Sequence, residues 1–325
     1  MPNVLVLGAS GYMGLAVSQA LLRSGTYTVF GSARTPEKAV TLRLNEITPV
    51  DANIVNPASL SAAIAAHHID IVIDCTSAYG DASKILEGVR AAGSSRLAAF
   101  SEGNMVGPKL GFIYASGSWV HGSTPDCRVS DLTPVGTDLA PAKAAAAVGW
   151  RPAHEQAVLA SRNSLDVAVL RPSLTYGRAS WAWAFLGPLL SANSSSVEPI
   201  KIPADAVART TTVHLDDLAH AFVSAADRID GRLGSWPVFD IFTQTLPVPD
   251  ILEAAKKVLS ITAPLQYAGT MGSAFLEALS LVCNGENSRA RSVLGWEPKR
   301  VDLIGDMPAI VMAWKAAEEA KKPST

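Results

Sequence analysis

The apolar run Val4-Leu-Val-Leu7 ends in Gly8, Gly11 and Gly14 and then continues with helical character to about Ser24. An uninterrupted apolar run is the pattern of a strand buried on both faces, as strands are in a parallel sheet. Glycines placed directly after such a strand let the chain turn sharply, so that backbone N–H groups and the N-terminus of the next helix face a pyrophosphate. The spacing is G-x-x-G-x-x-G, not the G-x-G-x-x-G of the common dinucleotide fingerprint. Three glycines can also merely relieve a strained turn, but strand, turn and helix in succession favour a nucleotide site. That reading puts Gly8, Ser10, Gly11, Tyr12, Met13 and Gly14 against a cofactor.

The rest of the first half repeats the opening theme. Strand patterns at Thr28–Ala33, Ile47–Val50, Ile69–Ile73, Leu110–Ser116 and Asp166–Leu170 alternate with helical stretches at Thr35–Asn45, Ser59–His67 and Asp81–Phe100. The last of these is expected to break near Gly93, with a strand start at Arg96 as the alternative. Such βαβ repetition calls for an α/β fold with a doubly wound parallel sheet, helices on both faces and right-handed crossovers.

With 325 residues, 48% hydrophobic and 17% charged, the chain can bury one large core or two joined ones. A formal charge of −2 provides no basic field for a polyanion, so nucleic acid is excluded as the expected partner and a small-molecule substrate is favoured. Cys75, Cys127 and Cys283 are odd in number and scattered, which suits a reducing compartment and gives no metal site. No leader pattern and no apolar stretch of ~20 residues is seen, so a cytoplasmic protein without membrane contact is expected.

Further along, ordered segments make the chain resemble the extended short-chain dehydrogenases/reductases of the epimerase/dehydratase type, whose glycine turn has the same spacing. Asp51 resembles the family aspartate near the adenine, and Cys75-Thr76-Ser77-Ala78 its cofactor loop. Arg171-Pro172-Ser-Leu-Thr-Tyr-Gly177 is similar to R-P-x-x-x-Y-G, Val213-His-Leu-Asp-Asp217 to V-H-V-D-D, and Leu294-Gly-Trp-Glu-Pro298 to L-G-W-x-P. The resemblance implies a Rossmann-type domain over 1–176, with 211–245 returning to it, and a small substrate domain from 177–210 and 246–325. The resemblance implies that Arg171 and Pro172 lie against the cofactor; Arg171-Pro172 also reads as a rigid exit from the sheet, and Asp216 and Asp217 as caps of the following helix.

Cofactor choice turns on Gly31-Ser32-Ala-Arg34. An acid at the end of the second strand accepts the ribose 2′-hydroxyl, whereas a 2′-phosphate calls for an arginine and no acid. Arg34 with Ser32 therefore favours NADP (NADPH) over NAD.

The resemblance fails at the catalytic motif. Family enzymes use Tyr-x-x-x-Lys, with a Ser or Thr after the fifth strand. Setting Trp150-Arg-Pro-Ala-His154 on the motif puts Trp150 at the tyrosine and His154 at the lysine. Aligning on the glutamate that follows in the family puts Ala147 and Arg151 there instead. Either way the phenol is gone, and an indole N–H delivers no proton near neutral pH. Counting back from Gly122 puts Gly117 at the hydroxyl position, flanked by Ser116 and Ser118, of which Ser116 follows the strand directly. Three readings follow. One is an NADPH-dependent reductase of a small apolar or aromatic carbonyl, imine or enone, with His154 or water as proton donor. Another is a non-redox isomerase, lyase or cyclase, and the third an NADP-binding redox sensor. A homodimer is compatible with each.

Overall fold

In a computed structural model of the chain, residues 1–76, 80–180, 187–192 and 197–320 are described. Seven strands form the central sheet: β1 (Asn3–Leu7), β2 (Thr28–Ser32), β3 (Thr48–Val50), β4 (Ile71–Asp74), β5 (Leu110–Ala115), β6 (Leu165–Pro172) and, after three strands outside it, β10 (Val238–Ile241). The outside strands are β7 (Leu174–Tyr176), β8 (Ile200–Ile202) and β9 (Arg209–His214), followed later by β11 (Gln244–Pro247) and β12 (Leu265–Tyr267). The central order is β10-β6-β5-β4-β1-β2-β3, with every neighbouring pair parallel. The helices are α1 (Tyr12–Ser24), α2 (Pro36–Leu44), α3 (Pro57–Ala66), α4 (Ala82–Glu102), α5 (Arg151–Leu159), α6 (Gly187–Ser191), α7 (Leu215–Ala226), α8 (Val248–Val258), α9 (Ala274–Leu279), α10 (Ser288–Leu294) and α11 (Met307–Ala320).

The strand period of two explains how one sheet serves two cores. Val4 and Val6 of β1 point to the face covered by α1 and α7, whereas Leu5 and Leu7 point to the face covered by α3 and α4. Because β1 is flanked by β2 on one side and β4 on the other, the chain reverses its winding there and opens a crevice at the strands' carboxyl ends.

Local chemistry sets the element ends. The Thr35 side chain caps α2 by accepting from the Lys38 N–H, and Asn56 caps α3 ahead of Pro57 by accepting from the Ser59 N–H. The break expected near Gly93 does not occur, and α4 runs unbroken to Glu102. Gly93 is there for packing: a Cβ would lie 2.6 Å from Leu165 Cδ2 and 2.8 Å from the Ser164 carbonyl.

A third apolar cluster joins Leu174 and Tyr176 of β7 to Ile200 and Ile202 of β8, to α8 and to α11. The V-H-L-D-D and L-G-W-E-P segments lock together. Asp217 accepts from the Lys299 and Arg300 N–H groups at 2.8 and 2.7 Å, and the buried Trp296 donates its indole N–H to the Asp217 carbonyl. The helix cap of α7 is therefore not an aspartate; His214 Nδ1 accepts from the Asp216 N–H at 3.1 Å. Met271 lies before α9 and is 75% exposed. The aromatic Trp181–Leu186 segment lies outside the described residues. Among the described residues no helix is long and apolar enough to cross a membrane, and no group of His, Cys, Asp and Glu is placed to hold a metal.

Candidate active site

At the crevice, Gly8 adopts φ +76°, and its carbonyl accepts from the Gly11 N–H at 2.9 Å. Gly14 packs so tightly that a Cβ would sit 2.2 Å from the Gly8 oxygen, while a Cβ at Gly11 would meet only that oxygen, at 3.2 Å. Gly11 is the N-cap of α1, which has no acid in its first turn, so the helix dipole is left for an anion. Ser10 and Met13 are half-buried on this turn. The Tyr12 hydroxyl donates to the Gly177 carbonyl at 2.8 Å and so ties the turn to the chain leaving β7.

The other predicted cofactor contacts fall into three groups. Ser32, buried at the end of β2, accepts from the Gly8 N–H at 3.2 Å and braces the turn. Beyond it Arg34 is exposed and, among the described residues, makes no ion pair; Asp51 is exposed at the end of β3. Thr76 bends the chain after β4, its N–H and hydroxyl both donating to Asp74 Oδ1 at 2.9 and 2.6 Å. Burial raises the pKa of Asp74 against these bonds. Ser77 and Ala78 lie outside the described residues.

A cavity of about 270 Å³ opens beside the glycine turn at the ends of β4, β5 and β6. Tyr12, Met13, Trp119, Val148, Pro172 and Leu174 give it apolar walls. Its polar groups are the hydroxyls of Thr76, Ser116, Ser118, Ser173 and Thr175, and its one charged wall residue among the described residues is Arg151. Arg151 Nη1 donates to the Ala115 carbonyl at 2.9 Å and to the Tyr114 hydroxyl at 3.3 Å, which fixes the guanidinium and, among the described residues, leaves Nη2 without a hydrogen-bond partner. Ser118 makes no side-chain hydrogen bond among the described residues.

Behind the wall lies a buried chain of ionic groups. Ser116 Oγ donates to Glu155 Oε1, and Arg171 donates to the same carboxylate from Nε at 3.1 and 3.2 Å and from Nη2 at 2.6 Å. Arg171 Nη1 approaches Asp240 at 3.7 Å, and Asp240 in turn contacts His121 Nε2 at 2.8 Å. Arg171 is thus inside the scaffold, whereas its neighbour Pro172 reaches the cavity.

Ser116 and Ser118 both line the cavity; Trp150 and His154, expected beside them, do not. Trp150 lies against the Arg151 guanidinium at 5.1 Å, and the His154 ring packs edge-on to Tyr114 at 4.7 Å. Burial, with Arg151 adding to it, pulls the His154 pKa down to about 4. The sequence reading left Glu155 without a role. Its i, i+4 spacing from Arg151 puts both on one helix face, and that was the available signal.

The chain belongs to the NAD dependent epimerase/dehydratase family, whose model matches residues 4–235. None of the curated proteins searched matches the sequence. Among solved structures, dTDP-glucose 4,6-dehydratase from Bacillus anthracis str. Ames in complex with NAD superposes with a TM-score of 0.71 at 17% identity over 98% of both chains. UDP-glucuronic acid 4-epimerase from Bacillus cereus in complex with NAD gives 0.69 at 19% identity over 99% of both chains. A putative epimerase from Burkholderia cenocepacia J2315 gives 0.70 at 17% identity, covering 97% of this chain and 98% of that one. Likeness at this identity is one of fold.

Proposed function

We propose that the protein is an NADP-dependent oxidoreductase that reduces a small apolar or aromatic carbonyl, imine or enone. The observation carrying this reading is the cavity itself, continuous with the glycine turn, walled by apolar side chains and holding, among the described residues, a single fixed cation. The turn fits a dinucleotide: Gly11 leaves open the space that a side chain would fill, and the N–H groups of α1 face it with no acid in the helix's first turn. Arg34, just beyond β2 and without an ion pair among the described residues, suits a 2′-phosphate.

A nicotinamide dinucleotide bound here supplies the hydride. Arg151 stands where the family has its lysine when the chains are aligned on the following glutamate, now Glu155. A guanidinium stays protonated, so Arg151 orients and polarises but carries no proton. Ser118 offers a free hydroxyl to the substrate oxygen. We assign no proton transfer to His154, which is outside the cavity wall and is neutral at pH 7. The proton then comes from water or a wall hydroxyl.

The Tyr12 phenol, engaged with Gly177, is not a free acid either. This keeps a non-redox isomerase, lyase or cyclase as the second reading. Incubation with NADPH and NADH against a panel of aromatic carbonyls separates the two. Loss of the nicotinamide absorbance with NADPH is expected. Product formation without any absorbance change would select the non-redox reading, and dinucleotide binding without turnover would select a redox sensor.

A further inference from the structure

The pairing of Ser116 with Glu155 fixes what the cavity wall can recognise. Glu155 is fully buried on α5, and Arg171, itself 1% exposed, occupies it with three N–H···O contacts. A carboxylate only accepts, so the proton of the Ser116–Glu155 hydrogen bond is the serine's. A hydroxyl has one proton and two lone pairs. We infer that Ser116 presents its lone pairs, not its proton, to the cavity, so the reacting group of the substrate pair that the site holds best is an alcohol hydroxyl.

Ser116 differs in this from its neighbours on the wall. Ser118 has an uncommitted hydroxyl and Arg151 has Nη2 to donate. An alcohol can donate to Ser116 while accepting from both Ser118 and Arg151, and all three are satisfied. A ketone accepts from the same donors but turns its oxygen toward the lone pairs of Ser116, which leaves that acceptor without a donor. One unmade hydrogen bond of this kind is worth roughly a factor of ten in affinity. The inference rests on the oxidoreductase reading above and adds to it the form of the redox pair that binds more tightly.

The test compares 2-phenylpropan-2-ol with acetophenone on the NADP⁺ complex by isothermal titration calorimetry. Neither probe can react there, since the tertiary alcohol has no carbinol hydrogen and the ketone finds no hydride. The alcohol is expected to bind about 10-fold more tightly, and Ser116→Ala should bring the two within about twofold. Glu155→Gln should invert the preference, because its amide, with the oxygen kept by Arg171, donates to Ser116 and frees the serine proton for the cavity. If Glu155→Gln fails to fold, Ser116→Ala decides alone. A wild-type protein that binds both probes equally, prefers the ketone or binds neither overturns the inference, as does a preference that survives in Ser116→Ala. Failure of the oxidoreductase reading shows separately, as no loss of nicotinamide absorbance in the turnover assay, whether or not NADP⁺ binds. The two probes are then compared on the free protein, where the same preference is expected.

Discussion

Arg171 and Glu155 face each other in the interior, each side chain 1% exposed, with Nη2 to Oε2 at 2.6 Å. Charges buried this deeply are tolerated because each offsets the desolvation of the other, and removing one partner strands the other. Arg171→Met should therefore lower stability by about 3–5 kcal/mol in urea unfolding, since it deprives both Glu155 and Asp240 of their cation. A loss under about 1 kcal/mol would mean that the carboxylates do not depend on Arg171.

His154 provides a pH signature of its own. Its folded pKa, about 4, lies below the ordinary histidine value, so on acidification the unfolded chain takes up a proton that the folded chain refuses. The neutral ring costs nothing at pH 7. Stability should fall as the pH drops from ~6.5 toward 4, and His154→Gln should make that part of the decline shallower. Chemical denaturation of both proteins at pH 7, 6, 5 and 4 measures the difference. Parallel curves would show that the imidazole is not held neutral by burial.

At the phosphate turn, Gly11 and Gly14 should behave differently. A Cβ at Gly11 makes one tight contact on the protein side, 3.2 Å from the Gly8 carbonyl, which a shift of a few tenths of an ångström relieves, whereas a Cβ at Gly14 would lie 2.2 Å from the same oxygen. Gly11→Val should fold with a near-normal melting curve and lose dinucleotide binding, because the new side chain fills the space in which the backbone approaches the pyrophosphate. Retained binding would leave the glycines as turn formers only.

Much of this architecture is legible in the chain because periodicity carries it. The apolar run of β1, the alternation through β6 and the glycine turn are local signals, and the sheet follows from them. The Gly93 misreading shows the limit: a glycine reads as a break unless one knows that Leu165 and Ser164 press on it from 72 and 71 residues away. The site was legible in its cofactor half for the same reason. Its catalytic half was not, because Ser116 just past β5, Glu155 on α5, Arg171 on β6 and Asp240 on β10 are brought together only by the fold. Which of Arg151 and His154 turns to the cavity is likewise set by how α5 is rotated against β5, and both alignments of the motif were consistent with the sequence.

The dinucleotide site is tested most directly by the preference for a 2′-phosphate at Arg34. Dissociation constants for NADPH and NADH are measured on the wild-type protein and on Arg34→Ala by fluorescence titration. A charge-assisted contact of about 1.5–3 kcal/mol predicts that NADPH binds at least ~10-fold more tightly than NADH in the wild type. In Arg34→Ala that advantage should vanish, with NADH nearly unchanged. Equal affinity for the two dinucleotides in the wild type, or an equal loss of both in the variant, would contradict it.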